Sequence, residues 1–274
     1  MGIINVTPDS FYDGGRYLDA EKAVEHGLRL AGEGADILDV GGESTRPGSD
    51  PTPAEEERRR VVPVVAGLRR QTDCLISVDT SKLEVAEAAL DAGADIINDI
   101  NAFSLDPRLL VLTAQKDAGL IIMHMKGTPK TMQVHPHYEN VVGEVRSFLA
   151  DKIEIARAYG LNERNIIVDP GIGFGKRLED NLALINELGA LSGLGRPILL
   201  GVSRKSFIGK IIDAPVQERL EGTIAASIVG IVRGAHILRV HDVKALQRAV
   251  RIAEAILGAA AAPAPNEEKA DYVH

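Results

Sequence analysis

Asp36-Ile37-Leu38-Asp39-Val40 opens the unit that decides the fold of this chain. A Gly- and Pro-rich loop follows from Gly41 to Pro53, and a segment with helical periodicity then runs from Ala54 to Arg70. An apolar run that ends in a turn and is followed by a helix is typical of a strand joined through a crossover to a parallel neighbour. Such crossovers are almost always right-handed, so a series of them has few possible topologies.

The same unit occurs eight times along the chain. The apolar runs end at Asn5, at Asp39 to Arg46, at Asp79, at Asn98–Asp99, at His124 to Lys126, at Asp169, at Ser203 to Lys205 and at Arg239 to His241. We expect helices to start near Asp19, Ala54, Ser81, Asp106, Asn140, Glu179 and Glu218, and the last helix to end near Leu257. The units average about 33 residues, which predicts a single α/β domain, a (β/α)8 TIM barrel of ~250 residues with parallel strands.

A doubly wound open sheet also alternates strands and helices, but two features of the sequence disfavour it. No G-x-G-x-x-G follows the first strand, and residues capable of chemistry follow every strand instead of clustering at one switch point. We therefore expect one barrel domain over residues 1–258. Residues 259–274 begin with an Ala run and continue with Pro263, Pro265 and mixed charges, so we expect a disordered tail.

Composition excludes several classes of function. The chain of 274 residues is 45% hydrophobic and 26% charged, and its net charge of −8 argues against nucleic-acid binding, which depends on basic surface. No apolar stretch reaches the ~18–20 residues that span a membrane, and no basic leader precedes the first strand. Because Cys74 is the only cysteine, an internal disulfide is impossible, and the cytoplasm is the expected location.

Two runs of charge lie in the second predicted helix. Glu55-Glu56-Glu57 precedes Arg58-Arg59-Arg60, which places opposite charges three residues apart. This spacing predicts a solvated helix face with ion pairs rather than a binding site.

Two segments at strand ends are candidate anion sites. Glu43-Ser44-Thr45-Arg46-Pro47-Gly48 offers hydroxyls, backbone donors and a guanidinium, which suit phosphate oxygens, although such loops are also common connections. Gly201-Val202-Ser203-Arg204-Lys205-Ser206 ends the seventh run with two cations and two hydroxyls. Phosphate sites after the seventh and eighth strands are frequent in these barrels, but an exposed basic turn would have the same sequence.

The eighth run ends in Arg239-Val240-His241. Alternate residues of a strand share a face, so the side chains of Arg239 and His241 should both point into the barrel mouth. A buried arginine without an anionic partner is costly, so Arg239 predicts a negatively charged ligand. His241 fits the same site, but a lone histidine is more often a structural hydrogen-bonding residue.

Short polar side chains close three other apolar runs, at Asp79, Asn98 and Asp169. Their carboxylate and carboxamide groups offer directional donors and acceptors that suit a nitrogen heterocycle. Asp169 is followed by Pro170-Gly171-Ile172-Gly173-Phe174-Gly175-Lys176, in which the glycines allow close backbone approach and Phe174 offers an apolar wall.

No zinc-binding spacing such as H-x-x-H or H-E-x-x-H is present in the sequence. Mg²⁺ needs few protein ligands because it relies on phosphate oxygens and water. Asn5, at the end of the first strand, is the candidate to supply one oxygen to such an ion.

Five of these segments together resemble the bacterial dihydropteroate synthase family. The segments are Met1-Gly-Ile-Ile-Asn-Val-Thr-Pro-Asp-Ser-Phe11, Gly42-Glu-Ser-Thr-Arg-Pro-Gly48, Asp169-Pro-Gly-Ile-Gly-Phe-Gly-Lys176, Gly201-Val-Ser-Arg-Lys-Ser206 and Arg239-Val-His241. The resemblance runs in order from Met1 to about Leu257. It implies a condensation in folate biosynthesis, in which the amine of 4-aminobenzoate attacks the methylene of 6-hydroxymethyl-7,8-dihydropterin diphosphate. The products are 7,8-dihydropteroate and pyrophosphate.

Carried over position by position, the resemblance assigns roles to three groups of residues. The pterin ring is assigned to Asp79, Asn98, Asp169 and Lys205. The diphosphate and its Mg²⁺ are assigned to Arg239, which also lies across the ring, with Asn5, His241, Thr45 and Arg46. The 4-aminobenzoate side, where sulfonamides compete, is assigned to Ser203, Phe174 and Pro47. Asp79, Asp169, Lys205, Arg239 and His241 would be the catalytic set, acting through binding and electrostatics because an arylamine needs no strong base.

The resemblance also implies a homodimer that forms through the last helices, where the apolar run Ile224 to Val232 lies, although that run equally suits a helix buried on the barrel. It implies a segment before the first strand, so we expect the natural chain to extend upstream of Met1, or this barrel to be less stable. Two rival functions remain, a methyltransferase that uses methyltetrahydrofolate and a non-catalytic pterin-binding homologue. Ser203-Arg204-Lys205 and Arg46 favour the synthase, because the methyltransferase needs no diphosphate site.

Overall fold

The computed structural model describes residues 1–7, 16–44, 49–104, 106–128 and 130–261. The strands are β1 Gly2–Asn5, β2 Ile37–Gly41, β3 Leu75–Asp79, β4 Ile96–Asp99, β5 Gly119–Met123, β6 Ile166–Asp169, β7 Leu199–Leu200 and β8 Ile237–Leu238. The helices are α1 Arg16–Gly32, α2 Ala54–Arg69, α3 Leu83–Asp91, α4 Arg108–Gln115, α5 Val141–Ala158, α6 Leu178–Asn186, α7 Ser206–Ile212, α8 Leu220–Val232 and α9 Val243–Ala261. Strands and helices alternate as the repeated unit predicts.

The strands form a ring in which every neighbour is parallel. Strands β1 to β6 pair in chain order, and β7 pairs with β8. Bridges join the two sheets at both edges, from Val168 to Ile198 and from Gly2 to Val240. The Ile3 N–H donates to the carbonyl oxygen of Val240 at 3.0 Å. This sequential order, without a switch point, confirms the barrel and excludes the doubly wound sheet.

Two apolar cores lie on opposite sides of the strands. The larger core fills the space between the strands and the surrounding helices. The smaller one lies inside the ring, and its members are Met1, Ile37, Ile96, Ile121 and Leu199, with Ile167 and Ile237 packed against them. We call this smaller core the barrel plug. Each fully buried aliphatic side chain contributes about 1.5–3 kcal/mol, so the plug stabilises the lower part of the ring and leaves the upper part for polar groups.

The charged face of α2 follows the prediction except at one residue. Arg58 and Arg59 form exposed ion pairs with Glu55. Glu57, in contrast, is fully buried and accepts a hydrogen bond from Nζ of Lys82, which also donates to Glu43. The prediction of a solvated face is therefore wrong at Glu57, because the helix turns this side chain toward the barrel.

Helix limits agree with the predicted ones within about four residues, apart from one omission. The seven-residue helix α7 was not predicted, because it is too short to show a periodic pattern. The last helix continues to Ala261, three residues beyond the predicted end of the domain at 258. The remainder of the predicted tail, residues 262–274, lies outside the described residues.

Candidate active site

The carboxyl ends of the strands bring most of the predicted site residues to one end of the barrel. They are Asn5 on β1, Asp79 on β3, Asn98 on β4, Asp169 on β6, Ser203 and Lys205 after β7, and Arg239 and His241 after β8. Phe174 follows in the segment after β6. Thr45, Arg46 and Pro47 lie outside the described residues. The geometry below therefore concerns the other nine predicted residues.

Arg239 is held by two aspartates of neighbouring strands. Its Nε donates to Oδ2 of Asp39 at 2.6 Å, and its Nη2 donates to Oδ2 of Asp79 at 2.9 Å. The Asp39 side chain is completely buried, and those of Asp79 and Arg239 are 12% and 22% exposed. These two carboxylates offset the burial of Arg239, so its burial alone does not require an anionic ligand, and that ligand stays a prediction.

Asp39 is the residue of this cluster that the motifs did not single out. It lies in the middle of β2, where alternation turns its side chain into the ring beside Ile3 and Ser77 of the adjacent strands. Its Oδ2 accepts from Asn98 at 3.4 Å, and Oδ1 has no hydrogen-bond partner among the described residues. The signal in the sequence was a carboxylate inside a fully apolar strand, where charge is tolerated only when it is paired.

Burial sets the charge balance of the two predicted aspartates. Burial raises the pKa of Asp79, and Asp39, Glu57 and Asp99 raise it further, whereas Arg239 acts in the opposite direction. Burial also raises the pKa of Asp169, and the positive charge of Lys205 opposes this effect. Any additional positive charge in the barrel mouth therefore favours the ionised form of both carboxylates.

Asp169 begins a loop in which glycine is required. Its Oδ1 accepts a hydrogen bond from the Gly171 N–H at 2.7 Å. Gly171, Gly173 and Gly175 all have positive φ, at 69°, 84° and 62°. A Cβ on Gly171 would lie 1.9 Å from the carbonyl oxygen of His124, so the backbone packs there without room for a side chain.

Lys205 lies between this loop and Arg239. Its Nζ donates to the carbonyl oxygen of Ile172 and lies 4.6 Å from the centre of the Phe174 ring. Burial lowers the pKa of Lys205 to about 8, and Asp169 partly offsets that effect. A Cβ on Gly201 would lie 3.9 Å from both Nζ of Lys205 and Cβ of Arg239, so the ammonium lies near the backbone end of the Arg239 side chain.

Ser203 and His241 form a second pair at the rim. Ser203 Oγ lies 2.9 Å from Nδ1 of His241 and accepts from the His241 backbone N–H at 3.2 Å. The two contacts fix the orientation of the imidazole. The contact with Ser203 agrees with the structural alternative for His241, and the position of His241 at the rim also suits a phosphate ligand.

Arg204 does not belong to the site. Its Nε and Nη2 donate to the two carboxylate oxygens of Asp242 at 2.8 Å each. Its backbone adopts a positive φ of 56°, which turns the side chain away from that of Lys205. The interpretation of Arg204 and Lys205 as two cations of one anion site is therefore wrong for Arg204.

Asn5 and His241 line a cavity of about 520 Å³ beside α1, together with Lys22, His26 and Arg29. Within the described part of the chain, no group of three or more His, Cys, Asp or Glu side chains is arranged to hold a metal ion. A single amide oxygen at the rim fits Mg²⁺ better than zinc, because Mg²⁺ takes most of its ligands from phosphate and water.

A model of the pterin binding enzyme family matches residues 1–241 of this chain. The match covers all eight strands of the barrel. Dihydropteroate synthase from Synechocystis is 45% identical over 257 residues, which cover 93% of this chain and 89% of that protein. The synthase from Escherichia coli is 44% identical over 259 residues, covering 94% and 92%. The chain belongs to the dihydropteroate synthase family.

Solved structures agree with this assignment. The dihydropteroate synthase of Yersinia pestis in a sulfonamide drug complex superposes with a TM-score of 0.89 at 41% identity, covering 94% of each chain. That of Xanthomonas albilineans with 7,8-dihydropteroate gives 0.86 at 45% identity, covering 96% of this chain and 94% of that one. The same enzyme with 4-aminobenzoic acid gives 0.88 at 46% identity, covering 96% and 93%.

Proposed function

We propose that this enzyme condenses 6-hydroxymethyl-7,8-dihydropterin diphosphate with 4-aminobenzoate to give 7,8-dihydropteroate and pyrophosphate. The observation that carries the proposal is the contact of Arg239 with Asp39 and Asp79 in the same mouth that holds Asp169 and Lys205. Carboxylates suit the N–H groups of the pterin, and cations suit the diphosphate. The ligands of the Xanthomonas enzyme, 4-aminobenzoic acid and 7,8-dihydropteroate, are the second substrate and the product of this reaction.

The bond changes place distinct demands on the site. The methylene C–O bond breaks and its electron pair moves to the pyrophosphate oxygen, which Arg239 and His241 stabilise electrostatically. Positive charge develops on the pterin methylene, and Asp79 and Asp169 stabilise it through the ring N–H groups. The amine nitrogen then forms the new C–N bond and loses its proton to water, so no side chain has to act as a strong base.

We assign the remaining predicted contacts in the same arrangement. Asn98 and Lys205 hold the pterin, while Phe174, Ser203 and Pro47 form the 4-aminobenzoate side, where sulfonamides compete. Thr45 and Arg46 hold the diphosphate. Asn5 is the residue that would bind Mg²⁺. When bound to the diphosphate, that ion neutralises charge on the leaving group.

The rival functions give different results in one assay. The synthase releases pyrophosphate when both substrates are present, and neither substrate alone gives the same yield. A methyltransferase would release none and would transfer a methyl group from methyltetrahydrofolate to a corrinoid. A non-catalytic homologue would bind the pterin diphosphate in a calorimeter and release no pyrophosphate. Absence of pyrophosphate release with both substrates would overturn the proposed reaction.

Because activity requires the positive charge of Lys205, we expect activity to fall at alkaline pH. Because its pKa is lowered to about 8 from 10.5, the ammonium is lost as the pH rises through about 8. We expect kcat/KM for the pterin diphosphate to fall above that pH, and Lys205→Met to be less active at lower pH and to lack this fall. A pH–rate profile of both proteins from about pH 6 to 10 measures this effect.

Stability should move in the opposite direction over the same interval. Between pH values of about 8 and 10.5 the unfolded chain binds the Lys205 proton and the folded chain does not. The free energy of unfolding of the wild type should therefore rise with pH relative to that of Lys205→Met. If the two stability curves run parallel, Lys205 does not titrate near pH 8.

We also propose that the enzyme is a homodimer that associates through α8 and α9. Val232, Ile252 and Ile256 are 58%, 64% and 65% exposed on these two helices, which contact each other. Exposed apolar surface of this kind is typical of an interface. Ile256→Glu should give a monomer by sedimentation velocity, whereas Ile155→Glu, on the exposed side of α5, should not. A dimer that persists in Ile256→Glu would contradict this interface.

None of the helices in the described ranges combines the length and the apolar composition of a membrane-spanning segment. We propose the cytoplasm as the location, in agreement with the single cysteine. The Sγ of Cys74 contacts the carbonyl oxygen of Ala35 at 3.3 Å, which suits a reduced thiol.

A further inference from the structure

The loop from Gly171 to Gly175, which carries Phe174, is held at almost every backbone group. The N–H of Gly173 donates to Oδ1 of Asn181 at 2.6 Å, and its carbonyl accepts from Nε2 of Gln133 at 3.0 Å. The Phe174 N–H donates to the carbonyl of Gly171 at 3.1 Å. Because almost all of its backbone polar groups have hydrogen-bond partners, this loop is a fixed platform for the ring of Phe174.

Lys176 is the buried cation behind this platform. Lys176 is only 4% exposed, and its Nζ donates to the carbonyl oxygen of Phe174 at 3.0 Å. The same Nζ lies 2.9 Å from Nδ1 and 3.2 Å from the carbonyl oxygen of His124. An ammonium has three donors, and the three neighbours are all acceptors when His124 is neutral with its proton on Nε2. The geometry therefore matches a protonated lysine that ties the loop after β6 to the end of β5.

Burial and neighbouring charges set the protonation of both groups. Burial lowers the pKa of His124 to about 3, with Lys176 and Lys126 contributing, so its ring is neutral. Burial lowers the pKa of Lys176 to about 7; Asp169 and Asp180 act against that change and Lys205 adds to it. No carboxylate in the described ranges forms an ion pair with Lys176. The ammonium is thus held mainly by neutral acceptors, and it is close to losing its proton at neutral pH.

Tyr138 makes a second contact with the same loop. Its hydroxyl donates to the carbonyl oxygen of Gly175 at 2.7 Å, and the residue is 5% exposed. Neither Lys176 nor Tyr138 belongs to the contacts assigned above to the pterin or its diphosphate. Both act on the segment that presents Phe174.

We infer that Lys176, assisted by Tyr138, is a positioning residue that sets the affinity for 4-aminobenzoate by fixing Phe174. This inference rests on the proposed function, in which Phe174 contacts the arylamine. Lys176 acts through the Phe174 carbonyl and does not touch the substrate. Its removal therefore affects the arylamine more than the pterin, because three of the four residues assigned to the pterin, Asp79, Asn98 and Lys205, lie on or after other strands.

The test compares binding of the two substrates in matched variants. Lys176→Met should raise KM for 4-aminobenzoate about tenfold, as expected for loss of one charge-assisted hydrogen bond. The dissociation constant for the pterin diphosphate, from calorimetry, should stay within about twofold. Tyr138→Phe should raise the same KM by a smaller factor, and it keeps the test decisive if Lys176→Met does not fold.

Lys152→Met is the control for loss of a lysine that supports a loop. Nζ of Lys152 donates to the carbonyl of Ala102 and to Oγ of Ser104 at 2.9 Å each, and it lies 4.4 Å from the centre of the Phe103 ring. This is the same kind of contact on a different loop. Both substrate constants should remain near those of the wild type.

A pH series separates positioning from a general loss of structure. Deprotonation near pH 7 removes one donor from Lys176 in the wild type. The KM ratio between Lys176→Met and the wild type should therefore shrink between about pH 6 and 8. A ratio that does not change with pH, unchanged KM in both variants, or equal weakening of both substrates would overturn the inference. A wild type that releases no pyrophosphate would instead overturn the proposed function itself.

Discussion

Arg239→Met is expected to lower the free energy of unfolding by about 3–5 kcal/mol and to abolish pyrophosphate release. The guanidinium holds Asp39 and Asp79 at 2.6 and 2.9 Å, and Asp39 has no exposed surface. Removing the cation leaves a buried carboxylate without a counter-charge, which is the most expensive way to break a buried ion pair. Urea unfolding and the pyrophosphate assay measure the two effects separately.

A second substitution separates stability from catalysis at this residue. Asp39→Asn, added to Arg239→Met, removes the uncompensated charge and should restore most of the lost stability. The double variant should remain inactive, because under the proposed function it still lacks the guanidinium that stabilises the diphosphate. Arg204→Met is the matched control: its pair with Asp242 is 27% exposed on both sides, so its loss should cost about 1 kcal/mol or less and leave activity near that of the wild type. Equal losses in Arg204→Met and Arg239→Met would contradict the argument.

Gly171→Ala is expected to destabilise the folded chain by more than about 3 kcal/mol and to reduce activity severely. Two costs add at this position. The backbone has a φ of 69°, which an alanine adopts with strain, and the new Cβ would lie 1.9 Å from the His124 carbonyl oxygen. Relief of that contact would displace the segment after Asp169, whose Oδ1 accepts from the Gly171 N–H.

Gly160→Ala isolates the conformational part of this cost. Gly160 has a φ of 89°, and a Cβ there would meet no atom within 4 Å. We expect this control to lose about 1–2 kcal/mol and to keep full activity. Urea unfolding of both variants gives the comparison. If Gly171→Ala is no less stable than Gly160→Ala, the close packing of this loop against β5 is not a constraint.

The periodicity of the sequence was enough to predict the barrel and the residues at its mouth. Parallel strands end at the same rim, so Asp79, Asn98, Asp169 and Arg239 had to be neighbours once the repeat was recognised. The adjacency of Arg204 and Lys205 in the sequence was misleading, however. Consecutive residues in a turn point in different directions, and the positive φ of Arg204 sends its side chain to Asp242.

Other features depend on contacts between distant segments. The pairing of Arg239 with Asp39 joins residues 200 positions apart, and that of Lys176 with His124 joins residues 52 apart. A pattern within one window cannot reveal either pair. The carboxylate in the apolar strand β2 and the lysine after a glycine-rich segment were visible signals. The partner of each depends on the register of the closed ring.

The barrel plug determines how molecules can enter and leave this enzyme. Met1, Ile121 and Leu199 fill the ring below the polar layer, so passage through the lower end is blocked. Under the proposed function, the pterin that reaches Asp79 and Asn98 lies deeper than an arylamine beside Phe174. Because both substrates enter through the same open end of the barrel, they must bind in order. The pterin binds before the arylamine, and an arylamine that binds first must dissociate before the pterin can enter.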